Sequence, residues 1–310
     1  MKPVLCHISA LEYWRSVRVG SRSFLAVDDP RLYLNEPPRK GGLAEPGPWW
    51  LARPLHVLVS KGSVRRTSSE VVCHVESAAL PVGSVLDTQN GFCVYTPELC
   101  FVQMAAVWGI EKLIQLGFEL CGTYDTTNGV VRECAPLTTV DRLDVFLASL
   151  GPMHGKKNAS YALRYVANNS ASPRETALAM LLCLPYRMGG YGIPMPQMNC
   201  RVDLGKREQR IAGRNYLVCD LYWPEARLDV EYDGGDHVEV ERMAKDSMRR
   251  DALVSMGITS LSVTKQQIDH GGSLNGIAHV VAERVGKRLR YKDPEFTRVN
   301  MRLHRELLGR

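Results

Sequence analysis

The spacing of apolar and polar residues predicts alternating helices and strands, and therefore a mixed α/β chain. Residues 55–60 and 70–75 are short apolar runs rich in valine, which is typical of strands. Residues 7–14 have a helical composition, with Ser9 as the expected N-cap. Thr96-Pro97-Glu98 predicts another helix start, because a hydroxyl, a proline and an acid favour the first turn. Apolar residues at helical spacing extend this helix to residue 113.

Beyond residue 170 the same pattern predicts the order helix-strand-strand-strand-helix-strand-helix. Ser172-Pro173-Arg174-Glu175 opens the first helix, because a serine N-cap is followed by a glutamate three residues later. Residues 206–215 are charged and predict a hairpin connection. The predicted strands cover residues 198–203, 216–222, 228–233 and 258–264, and the later helices cover 238–256 and 276–290.

Glycine and proline positions divide the chain into four parts. A mixed α/β N-terminal domain covers residues 1–135 and contains a long irregular connection over 20–53. A helical joint covers 136–169, and the α-β-β-β-α-β core covers 170–292. A basic C-terminal helix covers 293–310.

The composition is that of a globular protein. Of the 310 residues, 45% are hydrophobic and 23% are charged, which excludes a disordered or fibrous chain. No apolar run reaches the roughly 18 residues of a membrane-spanning helix, and residues 1–10 lack the apolar core of a secretory signal. Nine cysteines are scattered without a C-x-x-C pair. We therefore expect neither a disulfide framework nor a zinc site, and a cytoplasmic protein.

The net charge of +6 is concentrated near the C-terminus. Residues 284–310 carry nine lysines and arginines against three acids, whereas the first 283 residues carry 30 of each. A basic segment beside a neutral body predicts a polyanionic partner, most commonly nucleic acid. A solvated, charged terminal helix is the alternative explanation.

Acidic residues cluster on one predicted strand and its neighbour. Within 228–233, alternation places Asp229, Glu231 and Asp233 on the face opposite to the apolar residues. The turn over 223–227 makes the preceding strand antiparallel, so Asp220 would approach Glu231 laterally. Two carboxylates on adjacent strands suit Mg²⁺, and acids in apolar strands are costly unless they are paired or metal-bound. Solvated acids on an edge strand are the alternative.

Other polar side chains near this cluster have both a structural and a functional explanation. Glu175 either caps its own helix or points to the acidic site. His237, six residues beyond Glu231, is either exposed or able to shuttle a proton. Lys245 and Arg249 lie on one helix face and either are solvated or contact a phosphate.

In this order, the residues resemble the PD-(D/E)XK nuclease superfamily, and within it the very-short-patch repair (Vsr-like) endonucleases. The pattern comprises Glu175, Asp220, Glu231-Tyr232-Asp233-Gly234-Gly235-Asp236-His237, and Lys245-Asp246-x-x-Arg249-Arg250-Asp251-x-Leu253-x-x-x-Gly257. It covers residues 172–264, under a third of the chain. The resemblance implies a restriction-endonuclease-like core that hydrolyses DNA phosphodiesters with Mg²⁺ or Mn²⁺.

The resemblance also implies roles for single residues. Asp220, Glu231 and the main-chain carbonyl of Tyr232 would bind the metal, and Glu175 would be an accessory ligand or would orient a water. Asp233 stands where the family has a catalytic lysine. His237, Lys245 or the metal alone would then activate the water. The residues expected to contact DNA are Arg249, Arg250, Lys287, Arg288 and Arg290.

The N-terminal region resembles the antitoxin-like part of abortive-infection (AbiEi-type) proteins over residues 7–15, 55–66 and 94–106. This resemblance implies a second region that binds DNA or a partner, with basic contacts over 15–22 and 61–66.

Three functions fit these patterns. We expect a metal-dependent DNA endonuclease that uses a metal-activated water. Because the catalytic lysine is absent, a DNA-binding, antitoxin-like regulator on an inactive nuclease scaffold is the alternative. A protein-interaction platform in phage defence is the third. The sequence does not predict the oligomeric state.

Overall fold

The computed structural model describes residues 2–18, 24–27, 50–127, 129–234, 240–269 and 271–309, and the side chains of 240–245 and 271 lie outside this description. The chain divides into two compact units, Met1–Val166 and Ala167–Arg310. Both units are mixed α/β, as expected. The boundary falls inside the predicted helical joint, and both helices of that joint belong to the first unit. Most of the predicted connection over 20–53 lies outside the described residues.

Six strands form the main sheet of the first unit. They are β1 (Val4–Leu5), β2 (Leu25–Ala26), β3 (Leu55–Val59), β4 (Val71–Val75), β5 (Val85–Asp87) and β6 (Cys93–Tyr95). Their order in the sheet is β2-β5-β6-β1-β3-β4. The central strands are almost wholly apolar and buried, which fits a sheet covered on both faces. β3 and β4 run parallel, in a register that places Leu58 beside His74.

The helices of the first unit surround this sheet. They are α1 (His7–Ser16), α2 (Pro97–Met104), α3 (Ile110–Cys121), α4 (Val140–Ser149) and α5 (Lys156–Leu163), and the short hairpin of β7 (Tyr124–Asp125) and β8 (Arg132–Glu133) follows α3. Thr96 is the N-cap of α2, as predicted, since its hydroxyl accepts from the Leu99 amide at 3.4 Å. The single helix predicted to residue 113 is wrong, because Gly109 is extended and starts a second helix.

The prediction that Ser9 caps α1 is also wrong. Cys6 is the N-cap residue, and Ser9 is buried inside the helix, where its hydroxyl accepts from the His56 amide at 3.0 Å. Residues 15–22 were expected to form a basic contact with DNA or a partner. The arginines of this segment that the structure describes bind groups of their own unit. Arg15 binds Glu119 through two hydrogen bonds of 2.6 and 2.7 Å, and Arg18 is buried with its guanidinium on the Gly122 carbonyl at 2.6 Å.

The second unit is built on a four-stranded sheet. Its elements are α6 (Pro173–Cys183), β9 (Gln197–Asp203), α7 (Lys206–Ala212), β10 (Tyr216–Trp223), β11 (Leu228–Asp233), α8 (Val240–Ser255), β12 (Thr259–Thr264), α9 (Lys265–Asp269), α10 (Gly271–Arg284) and α11 (Glu295–Leu308). The sheet order is β12-β11-β10-β9. β10 pairs antiparallel with both β9 and β11. β12, which follows α8, pairs parallel with β11.

An apolar cluster joins α7 and α8 to the sheet and fixes the position of α8. Ala252 and Leu253 of α8 pack with Leu217 and Cys219 of β10, all fully or almost fully buried. On the α6 side, the helix contacts both β10 and β11. The strand that carries the predicted acids is therefore held centrally in the unit, and not at a free edge.

Two connections differ from the prediction. The segment predicted as a hairpin connection forms helix α7, which ends at Gly213 in the left-handed conformation (φ +65°). The helix predicted over 276–290 ends at Arg284, so Lys287, Arg288 and Arg290 lie beyond it. The predicted basic C-terminal helix is present as α11, and its Asn300 amide donates to the Gly189 carbonyl at 2.7 Å.

Candidate active site

The acidic face predicted for β11 is present and is covered by α8. In the parallel register with β12, Asp229 lies beside Ser260, and Glu231 lies beside Ser262. Residues that alternate with them, such as Val230, are buried on the opposite face. The alternation read from the sequence therefore places these acids together.

Arg249 of α8 is the cation that contacts these acids, among the side chains that the structure describes. Its Nη2 atom binds the Glu231 carboxylate directly, lies 3.6 Å from Asp229 Oδ2, and donates to the Val218 carbonyl at 2.6 Å. Only 22% of the Arg249 side chain is exposed. Sequence analysis assigned Arg249 to DNA contact, whereas the guanidinium points to the acids of its own sheet.

Asp229 is the most deeply buried acid of the site. Its side chain has no exposed surface, and Oδ2 is 3.4 Å from the Ser260 hydroxyl. Oδ1 has no hydrogen-bond partner in the described part of the chain. Burial raises the pKa of Asp229 to about 6, although Arg249 opposes this shift. A buried carboxylate oxygen without a partner is costly, which marks a place where a cation would be stabilising.

Asp220 is held next to β11 through the backbone. Its Oδ2 atom accepts from the Tyr232 amide at 2.9 Å. Burial, followed by the charge of Glu175, raises the pKa of Asp220 to about 7, although the hydrogen bond from Tyr232 opposes the shift. The resemblance implied the Tyr232 carbonyl as a metal ligand, whereas the contact present here is made by the Tyr232 amide.

Of the two explanations that the sequence left open for Glu175, the structure shows the helix cap, and the role in the acidic site stays a prediction. It caps α6, since the Ser172 hydroxyl accepts from its amide at 3.1 Å and its Oε2 accepts from the Ala171 amide at 2.9 Å. The same Oε2 accepts from the Asn199 side chain at 2.6 Å. Glu175 is buried, and its charge acts on Asp220. The cap therefore also places this carboxylate near Asp220.

The side chains of β10 stop alternating regularly between the two faces of the sheet at Asp220. The sequence pattern did not predict this break. Cys219 and Tyr222 are three residues apart and would face opposite sides of a regular strand, yet both pack with the α8 cluster. β10 pairs with β11 only over Leu221 to Trp223. Asn199, which lies in the neighbouring strand β9 across from Asp220, has a positive φ of 45°. This bulge-like break turns Asp220 toward Glu175.

The predicted lateral approach of Asp220 to Glu231 stays a prediction, because the contact that Asp220 makes with β11 is the hydrogen bond from the Tyr232 amide. At this site, three of the described residues offer metal-binding atoms within 4.8 Å of one another, namely Cys219, Asp229 and Glu231. The sequence pattern placed Asp229 on the acidic face of the strand without a functional role. Nothing in the pattern indicated Cys219. The spacing Asp229-x-Glu231 was the available signal for the pair, because two residues along a strand share a face.

The remaining predicted residues lie around the site or away from it. His237 and the Lys245 side chain are outside the described residues. Asp233 is exposed, as is Arg250, and both line a cavity of about 180 Å³ between β11, β12 and α8. The other polar residues that line it are Glu231, Tyr232, Asp246, Arg249, Ser260 and Ser262.

The three basic residues that were expected to contact DNA, besides Arg249 and Arg250, lie beyond the end of α10. Arg288 and Arg290 are exposed, whereas Lys287 is half-buried. The Arg290 amide donates to the Tyr186 hydroxyl at 2.9 Å, which holds this segment beside the short 3₁₀ helix Tyr186–Met188. Their role as DNA contacts stays a prediction.

Comparison with known proteins gives no relative for this chain: no protein-family model, no curated protein and no solved structure matches it. Within the described ranges, no helix has both the length and the apolar character needed to cross a membrane.

We expect Asp229→Asn to stabilise the protein when divalent cations are absent. The folded-state pKa of about 6 lies above the ordinary value of 3.8, so the folded form holds the proton more tightly than the unfolded form. This contribution is present at low pH and is lost as the pH rises through about 6. At pH 8 the substitution should add up to about 3 kcal/mol, and at pH 5 about half as much, because at pH 5 the carboxyl is ionised in the unfolded chain but mostly protonated in the folded one. Thermal unfolding at both pH values, in chelator, measures the difference; equal gains would contradict the assignment.

Proposed function

We propose that the protein is a metal-dependent phosphodiesterase that cleaves DNA internally. The observation that carries the proposal is the presence of two pairs of carboxylates on one sheet and its first helix, Asp229 with Glu231 and Asp220 with Glu175. Burial raises the pKa of Asp229 to about 6, and burial together with the charge of Glu175 raises the pKa of Asp220 to about 7. Strongly shifted pKa values are common at functional sites, because catalytic groups need pKa values that match their task.

The order of elements supports the proposal. In the second unit, α6 precedes three antiparallel strands, α8 follows them, and β12 returns parallel to β11. This is the α-β-β-β-α-β order expected from the resemblance to the PD-(D/E)XK nucleases, with one added helix, α7. The acids lie on the second and third strands of this order and at the start of its first helix.

The residues present fit a divalent cation at Asp229 and Glu231. Both offer carboxylate oxygens, which Mg²⁺ prefers, and Asp229 Oδ1 is buried without a partner in the described residues. Arg249 now contacts both acids, so cation binding requires its guanidinium to turn away. When bound, Mg²⁺ or Mn²⁺ would supply a Lewis acid for the phosphodiester and would lower the pKa of the attacking water.

The chain itself would position the phosphate and accept the proton. Asp220, with a pKa of about 7, is suited to accept the proton of the attacking water near neutral pH. The water oxygen forms a bond to phosphorus, the bond from phosphorus to the leaving oxygen breaks, and solvent protonates the leaving group. Arg250 is exposed in the cavity and would bind a phosphate oxygen. Exposed Arg288 and Arg290 would hold the DNA backbone.

A DNA-binding regulator on an inactive nuclease scaffold is the second candidate. The observation that favours it is the ion pairing of Arg249 with Asp229 and Glu231. The guanidinium occupies the place where a metal ion would bind these two acids. The acid Asp233 at the position of the family lysine points the same way. This candidate predicts salt-sensitive binding of duplex DNA without turnover, and no response to chelator.

Nicking of supercoiled plasmid distinguishes the two candidates. The full-length protein is incubated with Mg²⁺, with Mn²⁺ or with chelator, and binding to a labelled duplex is measured in parallel. The proposal expects cleavage that needs the metal and is absent in Glu231→Gln. The matched control is Asp203→Asn, because Asp203 is an exposed acid at the end of β9 that pairs with Arg201. Binding without cleavage in every metal condition would reject the enzyme and support the regulator.

A further inference from the structure

Three imidazole rings and a thiol lie together in the first unit, and none of them belongs to the site described above in the second unit. His7 begins α1, His56 lies in β3 and His74 lies in β4. The rings of His7 and His74 stack with centroids 3.8 Å apart, and those of His56 and His74 stack at 5.0 Å. His74 Nε2 is 2.9 Å from His56 Nδ1.

The fold brings these residues together through the pairing of β3 and β4. His56 lies beside Val72, two residues from His74, so both histidines project from the same face of the sheet. The Cys6 amide donates to the His56 carbonyl at 3.0 Å, which fixes Cys6 next to this pair. The sequence distances, from residue 6 to residue 74, hide this cluster from a search for metal motifs.

The backbone at His7 is held in an uncommon conformation. Its φ is +49°, in the left-handed region that residues other than glycine seldom adopt. The His7 amide donates to the Gln103 side chain at 2.8 Å, and the Cys100 thiol is 3.7 Å from the His7 carbonyl. Such strain persists only where surrounding contacts enforce it, and here it turns the ring of His7 toward His74.

The donor atoms are close enough together to share one metal ion. One atom each of Cys6, His7 and His74 lies within 4.8 Å of the others, and His7 Nδ1 is buried without a partner in the described residues. An imidazole nitrogen and a cysteine sulfur are both common ligands of transition metals.

We propose that Cys6, His7 and His74 bind one zinc-class transition-metal ion, and that His56 orients His74 through the hydrogen bond between their rings. Sulfur and nitrogen donors select Zn²⁺ over Mg²⁺ or Ca²⁺, which take oxygen. The donors of a tetrahedral zinc site lie roughly 3.3–3.8 Å apart, so these side chains need to close by about 1 Å. The stacked rings of His7 and His74 also have to turn, so that both nitrogen lone pairs point at the ion. Water takes the fourth position. The proposal departs from the expectation of no zinc site, which rested on cysteine spacing, and it is independent of the proposed nuclease activity.

Titration of the metal-free, full-length protein tests the site. Zn²⁺ is expected to bind with one equivalent that is lost in Cys6→Ser and in His74→Asn. The matched controls are Cys121→Ser, a buried cysteine of α3, and His154→Asn, an exposed histidine, and both should keep the equivalent. His56→Asn should weaken binding by about 10–100-fold without abolishing it, as expected for a residue that orients a ligand.

Cobalt substitution keeps the test valid if a variant fails to fold. Co²⁺ added to the unmodified protein should give a thiolate-to-cobalt charge-transfer band and the strong visible bands of tetrahedral geometry. Absence of that band overturns the proposal, as does a band that persists in Cys6→Ser and disappears in Cys219→Ser. The second result would assign the metal to the cluster of Cys219, Asp229 and Glu231 in the other unit.

Discussion

Arg249→Met is expected to destabilise the protein by about 3–5 kcal/mol at pH 8, because removing one partner of a buried ion pair leaves the other charge uncompensated. Arg249 contacts Glu231, Asp229 and the Val218 carbonyl, and all three lose their donor together. The fully buried Asp229 bears most of this cost. Chemical denaturation, followed by circular dichroism, measures the change.

The pH dependence separates this electrostatic cost from lost packing. The pKa values of Asp220 and Asp229 are raised in the folded protein, and both rise further without the guanidinium. Groups of this kind stabilise the folded state at low pH and lose that contribution as the pH rises through about 6 to 7. The loss in Arg249→Met should therefore shrink at pH 5, and Arg249→Lys should retain part of the stability. A deficit that is the same at both pH values would show that packing, and not charge, is responsible.

Asp220→Asn is expected to lower the rate of metal-dependent plasmid nicking by at least about 100-fold, which corresponds to about 2.7 kcal/mol of lost transition-state stabilisation. The amide can no longer accept the proton of the attacking water, whereas it can still accept from the Tyr232 amide. In the unmodified protein the rate should rise with pH through about 7, where Asp220 loses its proton.

The shape of the pH profile distinguishes this role from a structural one. Asp220→Asn should lack the rising limb near pH 7, and its duplex binding should be unchanged, because Asp220 is placed on the proton and not on the phosphate. Asp203→Asn serves again as the control and should retain both the rate and the profile. If Asp220→Asn kept the rising limb at a reduced rate, another group would be the base, and the assignment to Asp220 would be wrong.

Local patterns predicted much of the second unit because they depend on neighbours in sequence. The strand predicted over 228–233 has the observed bounds, Leu228–Asp233, since alternation of apolar and polar residues is a property of the strand itself. Ser172, Pro173 and Glu175 start α6 as expected, because a cap uses backbone groups within three residues. The mixed α/β class of both units follows from the same local signals.

Contacts between distant residues were beyond such patterns. The break in β10 that turns Asp220 toward Glu175 depends on Asn199 of the neighbouring strand and on packing under α8. Arg249 has the sequence pattern of a solvated helix face, and only the seating of α8 on the sheet directs it to Glu231. The ends of α2 and α10 were also misplaced, since apolar periodicity continues past a glycine that starts or ends a helix.

By itself, the sequence determined most strands of the second unit, the acidic face of β11 and the concentration of positive charge near the C-terminus, because each is set by residue type and short-range spacing. Only the tertiary structure decided which of those acids share a cation, and that Cys6, His7, His56 and His74 form one cluster. The physical reason is that metal and proton chemistry depends on distances of a few ångströms between atoms far apart in the chain. The packing of helices on the sheets sets those distances, and the order of residues along the chain does not.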